Sequence, residues 1–345
     1  MNTKEHWENI YQTKQLNEVS WFQQKPQTSL DFFEMFSVHK NAKIIDVGGG
    51  DSYLVDYLLE LGYQDISVLD ISKYALDRAK QRLGDKAKNV KWIEANAAHF
   101  QPVEKYDFWH DRAAFHFLTE HEDIENYIRT ANENIAVNGV LVIGTFSENG
   151  PKKCSGIDIK QYSETSSQEA FLPYFEKISC FTTDHKTPFD TIQNFTFCSF
   201  RKKMKNSFIE GAISPEKIAT SIAHHQHKTN IGGHSIFLGQ VRADEIDQKV
   251  VKAIEFTTYR ELAEQKIATI REDIFEKYAL TCMHIYHSLG EIKAGEICLF
   301  VFTSSKHRKP AQQACDELVE RIKAEVPIWG KEIFEDETHQ WKENN

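Results

Sequence analysis

Two lysines eight positions apart, Lys323 and Lys331, bracket the segment Ala324-Glu325-Val326-Pro327-Ile328-Trp329-Gly330 near the end of this 345-residue chain. Upstream stand Ser304-Ser305-Lys306-His307-Arg308 and, earlier still, Gly239-Gln240-Val241-Arg242. Lysine, arginine and histidine in such a set supply directed donors for a phosphorylated substrate, and a base or nucleophile for an acyl or thioacyl donor. A second set lies in the first half: Asp46-Val47-Gly48-Gly49-Gly50-Asp51, with Asp70 twenty residues beyond Gly50. Glycines there let a ligand approach the backbone, and the helix that follows presents free N–H groups. A carboxylate at the end of the next strand is placed to grip a ribose diol. The spacing points to two chemistries on one polypeptide.

The elements that must position these residues differ between the halves. Residues 42–200 alternate short β-runs with helical stretches, the pattern of a parallel sheet covered by helices. Strands are expected at Lys43–Val47, Ile66–Asp70, Val90–Glu94, Tyr106–Trp109 and Gly139–Phe146. Lys177–Thr182 and Phe195–Phe200 read as an antiparallel pair at one edge. The polar stretch Arg201-Lys202-Lys203-Met204-Lys205-Asn206 breaks the periodicity, which puts a boundary between a domain 1–203 and a domain 204–345. The second half reads as α+β, with strands near 207–213, 233–238, 249–258, 281–288 and 296–303 and helices near 215–225, 259–279 and 310–326. Ala311, Ala314, Leu318 and Ile322 form the apolar stripe of the last helix, with Lys323 just off it and Pro327 as its stop.

Composition narrows the partners. The net charge of −10 is spread over both halves, so neither has the basic balance that a nucleic-acid backbone requires. The polar start and the lack of any apolar run near ~18 residues argue against a signal peptide or a membrane span, and a cytoplasmic protein is expected. Six cysteines without a CxxC pair read as free thiols, with Cys198, Cys282 and Cys298 as small core residues rather than a disulfide framework.

A nicotinamide fingerprint would want glycine at position 53, where Tyr53 stands, and a carboxylate two residues before the first glycine suits a cationic amino-acid cofactor. Both favour S-adenosylmethionine. On Asp46-x-Gly48-x-Gly50, Asp70-Ile71-Ser72 and Tyr106-Asp107-Phe108-Trp109-His110-Asp111-Arg112, residues 5–200 resemble the class I S-adenosylmethionine-dependent methyltransferases, with their Rossmann-like α/β fold. The resemblance implies that Asp46, Gly48 and Gly50 hold the methionine part, Asp70 and Ile71 the ribose, and Asn96 and Ala97 the adenine edge. Ser52 stands where the family has a third glycine, and Asn96 where it has an aspartate. His110, Asp111, His116 and His185 are candidates for acid–base roles by position only.

Residues 207–342 resemble the large, catalytic subunit of molybdopterin synthase, an α+β fold of hammerhead type. The blocks that carry this are Phe237-Leu238-Gly239-Gln240-Val241-Arg242, His284-Ile285-Tyr286-His287-Ser288-Leu289-Gly290-Glu291, Gly295-Glu296, Ser304–Arg308 and Lys323–Trp329, in order. The resemblance implies sulfur transfer to cyclic pyranopterin monophosphate from the thiocarboxylated Gly-Gly tail of a small ubiquitin-like subunit. It also implies a homodimer carrying one small subunit at each end, a heterotetramer. Gln240, Val241, Arg242, His307, Arg308, Lys323, Gly330, Lys331 and Glu332 are then the substrate-binding positions, and Lys323, Lys331 and Arg242 the catalytic ones. The family carries a second lysine directly after the tryptophan. Gly330 holds that place here, so the role falls to Lys331. Lys323, crowded among cations and partly desolvated, would lose its proton more easily.

His224-His225-Gln226-His227 reads as solvated surface at a helix end with no second cluster to complete a metal site, and no metal is expected. The C-terminal half is expected to need no cofactor. The reading that competes with a double enzyme makes only one half catalytic and the other a cofactor-sensing or partner-docking module.

Overall fold

The computed structural model describes residues 3–342. The chain divides into two compact units between Lys203 and Met204.

In the first unit the helices are α1 (Thr3–Thr13), α2 (Gln27–Met35), α3 (Leu54–Glu60), α4 (Lys73–Leu83), α5 (His121–Asn134) and α6 (Glu164–Phe171). The strands are β1 (Lys43–Val47), β2 (Asp65–Asp70), β3 (Val90–Glu94), β4 (Tyr106–Arg112) and β5 (Ile135–Phe146), a short hairpin β6 (Lys153–Cys154) and β7 (Ile157–Asp158), then β8 (Phe175–Lys186) and β9 (Ile192–Lys202). The seven-stranded sheet runs β3-β2-β1-β4-β5-β9-β8. β1 to β5 pair in parallel, and β9 lies antiparallel between β5 and β8. Residues of β1 and β4 alternate between two cores: Ile44 and Phe108 pack on one face, Ile45 and Trp109 on the other. Burial on both faces is why these strands read as near-continuous apolar runs. The order reverses between β1 and β4, so the crevice at their C-terminal ends is where a ligand site belongs in such a sheet.

The expected absence of disulfides needs correcting. Cys180 and Cys198 stand directly opposite each other in the β8–β9 ladder, Cα atoms 4.1 Å apart, and are bonded. Cys198 is a buried core residue, but the pairing is a tertiary fact that no CxxC spacing signals.

The second unit contains α7 (Pro215–Ala223), α8 (Arg260–Lys277) and α9 (Arg308–Glu325), with β10 (Phe208–Glu210), β11 (Gly233–Gln240), β12 (Glu245–Ile246), β13 (Lys249–Thr258), β14 (Leu280–Lys293), β15 (Ile297–Ser305), β16 (Ile328–Phe334) and β17 (His339–Trp341). Its sheet runs β11-β15-β14-β13-β16-β17, with β10 joined in parallel to β14. α9 buries Ala314, Leu318 and Ile322 against the Met283, Ile285, Leu299 and Val301 face, α8 adds Ile267, Ile270 and Ile274 to the same core, and Ala311 is buried as well. On the opposite face Phe300 and Phe302 pack with Ile213 and with Ile218 of α7. The strand expected at 207–213 stops at Glu210 because Gly211 turns with φ +80°. β14 runs past its expected end at 288 because, beyond Ser288, it changes partner from β15 to β13. Among the described residues no helix is long and apolar enough to cross a membrane.

Candidate functional site

In the first unit the glycine turn leaves β1 at the crevice. Gly48 (φ +69°) and Gly50 (φ +48°) sit in left-handed backbone that side chains disfavour, and a Cβ on Gly48 would fall 2.4 Å from the Ala114 Cβ. A Cβ on Gly50 would stand 3.0 Å from Asp70 Oδ2 and 2.9 Å from the Tyr11 hydroxyl, space that is left open between turn and carboxylate. The turn is held from α4: Arg78 pairs with Asp51 at 3.0 Å, and Arg82 donates to the Asp51 and Ser52 carbonyls while pairing with Asp56.

A cavity of about 200 Å³ opens beside the turn. Asp46, Gly48, Asp70, Ile71, Asn96 and Ala97 all line it, so the structure brings the predicted cofactor residues together. Gly50 is held in the same turn. Asp46 is buried and meets His110 Nδ1 at 2.7 Å, and His110 Nε2 reaches Ser29 Oγ at 2.9 Å, which fixes the carboxylate in the wall. Asp70 accepts from the Ser72 N–H at 2.8 Å, but burial, with Asp51, Asp46 and Glu8 adding negative charge nearby, pushes its carboxyl up to about 7. Asn96 turns its side-chain oxygen to the Ala98 N–H at 2.9 Å.

Of the four acid–base candidates only His110 lines the cavity. Asp111 accepts from the Tyr127 hydroxyl and from the Ala114 and Phe115 N–H groups, a fully buried knot that organises the loop after β4. His116 Nδ1 accepts from the Phe146 N–H, and His185 Nε2 donates to the Ser20 carbonyl; both rings are held by burial well below the usual histidine range, at about 3 and about 4. Sequence reasoning missed the outer wall, which comes from Trp7 and Tyr11 of α1 with Trp21, Phe22 and Phe117. The dense aromatic run of the first 22 residues is the signal that could have marked it. It also missed Arg112, the only lysine or arginine among the described lining residues. Arg112 donates to the Trp21 carbonyl and lies over the Phe195 ring at 4.8 Å.

In the second unit the predicted residues fall at two ends of α9. Lys323 lies in its last turn with Nζ 6.0 Å from the Phe237 ring centre. At that end β11 finishes with Gln240, exposed, and the chain continues through Val241, a buried core residue, to Arg242, whose side chain is 77% exposed and pairs with Asp244. His307 and Arg308 open the helix at its other end. Fifteen residues at ~1.5 Å each put Arg308 roughly 22 Å from Lys323 along the axis. A single chain does not bring them together. Lys323 is also exposed, so a single chain lacks the desolvation expected around it.

Lys331 is the clearest departure. Along β16 successive side chains alternate faces, and Lys331 faces Glu255, its direct cross-strand partner, with which it forms an ion pair. Gly330 and Glu332 occupy the opposite face. There the Lys342 N–H donates to the Gly330 carbonyl at 2.8 Å, and Lys342 Nζ reaches the buried Glu332 at 3.1 Å. The charges of Lys323 and Lys342 both reach the Cys298 thiol, pulling down a value that burial raises. Lys342 is therefore the second cation on the Lys323 side, and only the β16–β17 pairing reveals it.

A protein-family model described as MoaE protein matches residues 210–325, and one described as Methyltransferase domain matches residues 45–141. The molybdopterin synthase catalytic subunit of Pyrococcus abyssi is 35% identical over 117 residues, which make up 34% of this chain and 78% of that protein. The rat (Rattus norvegicus) protein of the same name is 34% identical over 113 residues, 33% of this chain and 56% of its own length. A solved structure described as "Conversion of a Disulfide Bond into a Thioacetal Group during Echinomycin Biosynthesis" aligns over 65% of this chain and 100% of its own at 17% identity, TM-score 0.50, a likeness of fold alone. With a relative 35% identical that it covers over 78% of that protein's length, the chain belongs to the molybdopterin synthase catalytic subunit family of molybdenum cofactor biosynthesis, with a methyltransferase domain ahead of it.

Proposed function

We propose that the C-terminal unit transfers sulfur from the thiocarboxylated tail of a small ubiquitin-like subunit to cyclic pyranopterin monophosphate, making molybdopterin. Lys323 acts as base or nucleophile, Lys342 supplies the second positive charge, and Arg242, with Gln240 beside it, meets the substrate. The observation that carries this reading is that Lys323, beside Phe237 at the end of α9, and Lys342, beside Gly330, are both close enough for their charges to act on the Cys298 thiol. An incoming tail would cover the exposed Lys323 and supply the desolvation that lowers an ammonium pKa. The test is reconstitution of the full chain with thiocarboxylated small subunit and the cyclic precursor. Molybdopterin should form, and Lys323→Ala should cut its rate by at least about 100-fold, the scale of a lost acid–base group. Near wild-type turnover in that variant would remove the reading at its centre.

The distance between Lys323 and Arg308 in one chain supports a homodimer in which the His307–Arg308 end of one copy completes the Lys323 end of the other. Isologous pairing does this twice per dimer, as a two-fold axis requires.

The N-terminal unit binds S-adenosylmethionine in this reading, with Asp70 on the ribose diol, Gly48 and Gly50 against the methionine part and Asn96 and Ala97 beside the adenine. The open space between Gly50 and Asp70 and the cavity next to it support this assignment. Calorimetry on the wild type should detect one cofactor per chain. Asp70→Ala should weaken it by roughly 1.5–3 kcal/mol, the loss of a charge-assisted hydrogen bond.

A further inference from the structure

His225, expected as solvated surface, is 5% exposed and faces inward from the end of α7. Its Nδ1 lies 2.7 Å from the Ser221 carbonyl. A carbonyl only accepts, so Nδ1 carries the proton and Nε2 is left with a bare lone pair. That buried Nε2 has no hydrogen-bond partner among the described residues. Such a nitrogen is costly to leave alone in a protein interior.

The neighbours of this ring are themselves ligand types. Cys282 and His284 are two apart on β14, so both project to the same face of the sheet, toward α7. Cys282 Sγ lies 3.4 Å from His284 Nε2, and the His225 and His284 ring centres are 5.0 Å apart. The donor atoms of His225, Cys282 and His284 all fall within 4.8 Å of one another. Around one tetrahedral ion, bonds of ~2.0–2.1 Å to nitrogen and ~2.3 Å to sulfur separate donors by roughly 3.3–3.6 Å. The Cys282–His284 pair already has that spacing, and the remaining gap closes with an inward shift of about 1 Å.

We infer that His225, Cys282 and His284 form a binding site for a single thiophilic closed-shell cation, Zn²⁺ or Cu⁺, between the end of α7 and β14. The Ser221 carbonyl plays the outer role that fixes a ligating histidine's tautomer and orientation. One thiolate and two imidazoles are the soft donor set that such ions choose over calcium or magnesium. Lys205, Lys228 and Arg271 are close enough to act on His284, and Lys205 and Arg271 also on Cys282. Their positive charge opposes a bound cation, so the affinity is set by the sulfur bond. The site is separate from the Lys323 end of α9, because Cys282 and His284 face α7 on the other side of the sheet.

The test uses the purified full chain, stripped of metal and reduced. Zn²⁺ and, under anaerobic conditions, Cu⁺ are titrated against chromophoric chelators, with bound metal counted by elemental analysis. One equivalent of at least one of the two ions should bind and raise the thermal midpoint. Cys282→Ser and His284→Gln should each weaken that equivalent at least about tenfold, while Cys298→Ser keeps it. Circular dichroism on the metal-free variants confirms that the fold is intact. If both ions fail to bind the wild type, or if the equivalent survives Cys282→Ser unchanged, the assignment is overturned. Should a variant fail to fold, Co²⁺ in the wild type decides the matter. A thiolate-to-cobalt charge-transfer band supports the site, and its absence overturns it.

Discussion

Lys342 stands directly across the β16–β17 ladder from Gly330. A Cβ built on Gly330 would touch the Lys342 Cβ at 3.6 Å, so the lysine side chain covers the ground that a residue at 330 would otherwise hold. Lys331 lies on the other face, tied to Glu255. The two lysines therefore make opposite predictions. Lys342→Ala should lower single-turnover molybdopterin formation roughly tenfold, equivalent to ~1.4 kcal/mol of barrier. Lys331→Ala should leave that rate within about twofold and remove only a half-exposed ion pair, worth less than ~1 kcal/mol.

Separating Arg308 from Lys323 along α9 gives a test of shared sites. Arg308→Ala and Lys323→Ala should each be inactive alone. Mixed in equal amounts and allowed to exchange subunits, half the dimers carry both variants, and one of their two sites is intact. About a quarter of wild-type activity should return. No recovery after demonstrated exchange would place the whole site in one chain.

Residues 204–345 expressed alone should fold and be dimeric by light scattering at micromolar concentration. The unit has its own apolar core under α8 and α9, with a second cluster under α7. A monomer would remove the physical basis for the shared site.

If S-adenosylmethionine binds as proposed, Asp70 should make its binding pH-dependent. Its folded carboxyl titrates at about 7, above the usual value of 3.8, because burial disfavours the charge. The folded state thus holds a proton that the unfolded chain has lost, and this group alone makes the cofactor-free unit less stable as pH rises from 4 to 7. The ribose diol needs the carboxylate as acceptor, so binding has the opposite slope. Between pH 6 and 7 the affinity for S-adenosylmethionine should rise by up to about tenfold, then level off above pH 8. Calorimetry across pH 5.5 to 8.5 checks it, and Asp70→Asn should flatten the profile.

What the sequence makes legible follows from how local the cause is. β1, β3 and β13 have the bounds their apolar runs suggest, because a strand flanked by polar residues or a turning glycine declares itself within a few residues. The glycine turn and Asp70 belong to the same local logic, since a strand end and the turn after it share one stretch of chain. The Cys180–Cys198 bond, the wall from Trp7 and Tyr11, the place of Lys342 and the inward turn of His225 have partners far away in sequence. A motif one residue out of step, Gly330-Lys331, invites the reading that the neighbour substitutes. Strand alternation forbids it, and alternation becomes decisive only once the pairing partner is known.

Glu8 of α1 accepts from the Ser72 hydroxyl and the Lys73 and Tyr74 N–H groups, receiving the opening turn of α4 sixty-four to sixty-six residues later in the chain. During synthesis α1 therefore emerges well before the surface it will close. The wall that α1 gives the cavity thus depends on a contact between segments far apart in the chain, whose closure carries an entropic cost. If S-adenosylmethionine fills the cavity as proposed, it would be held between Asp70 and the α1 wall, and its binding would stabilise the docked α1 by mass action.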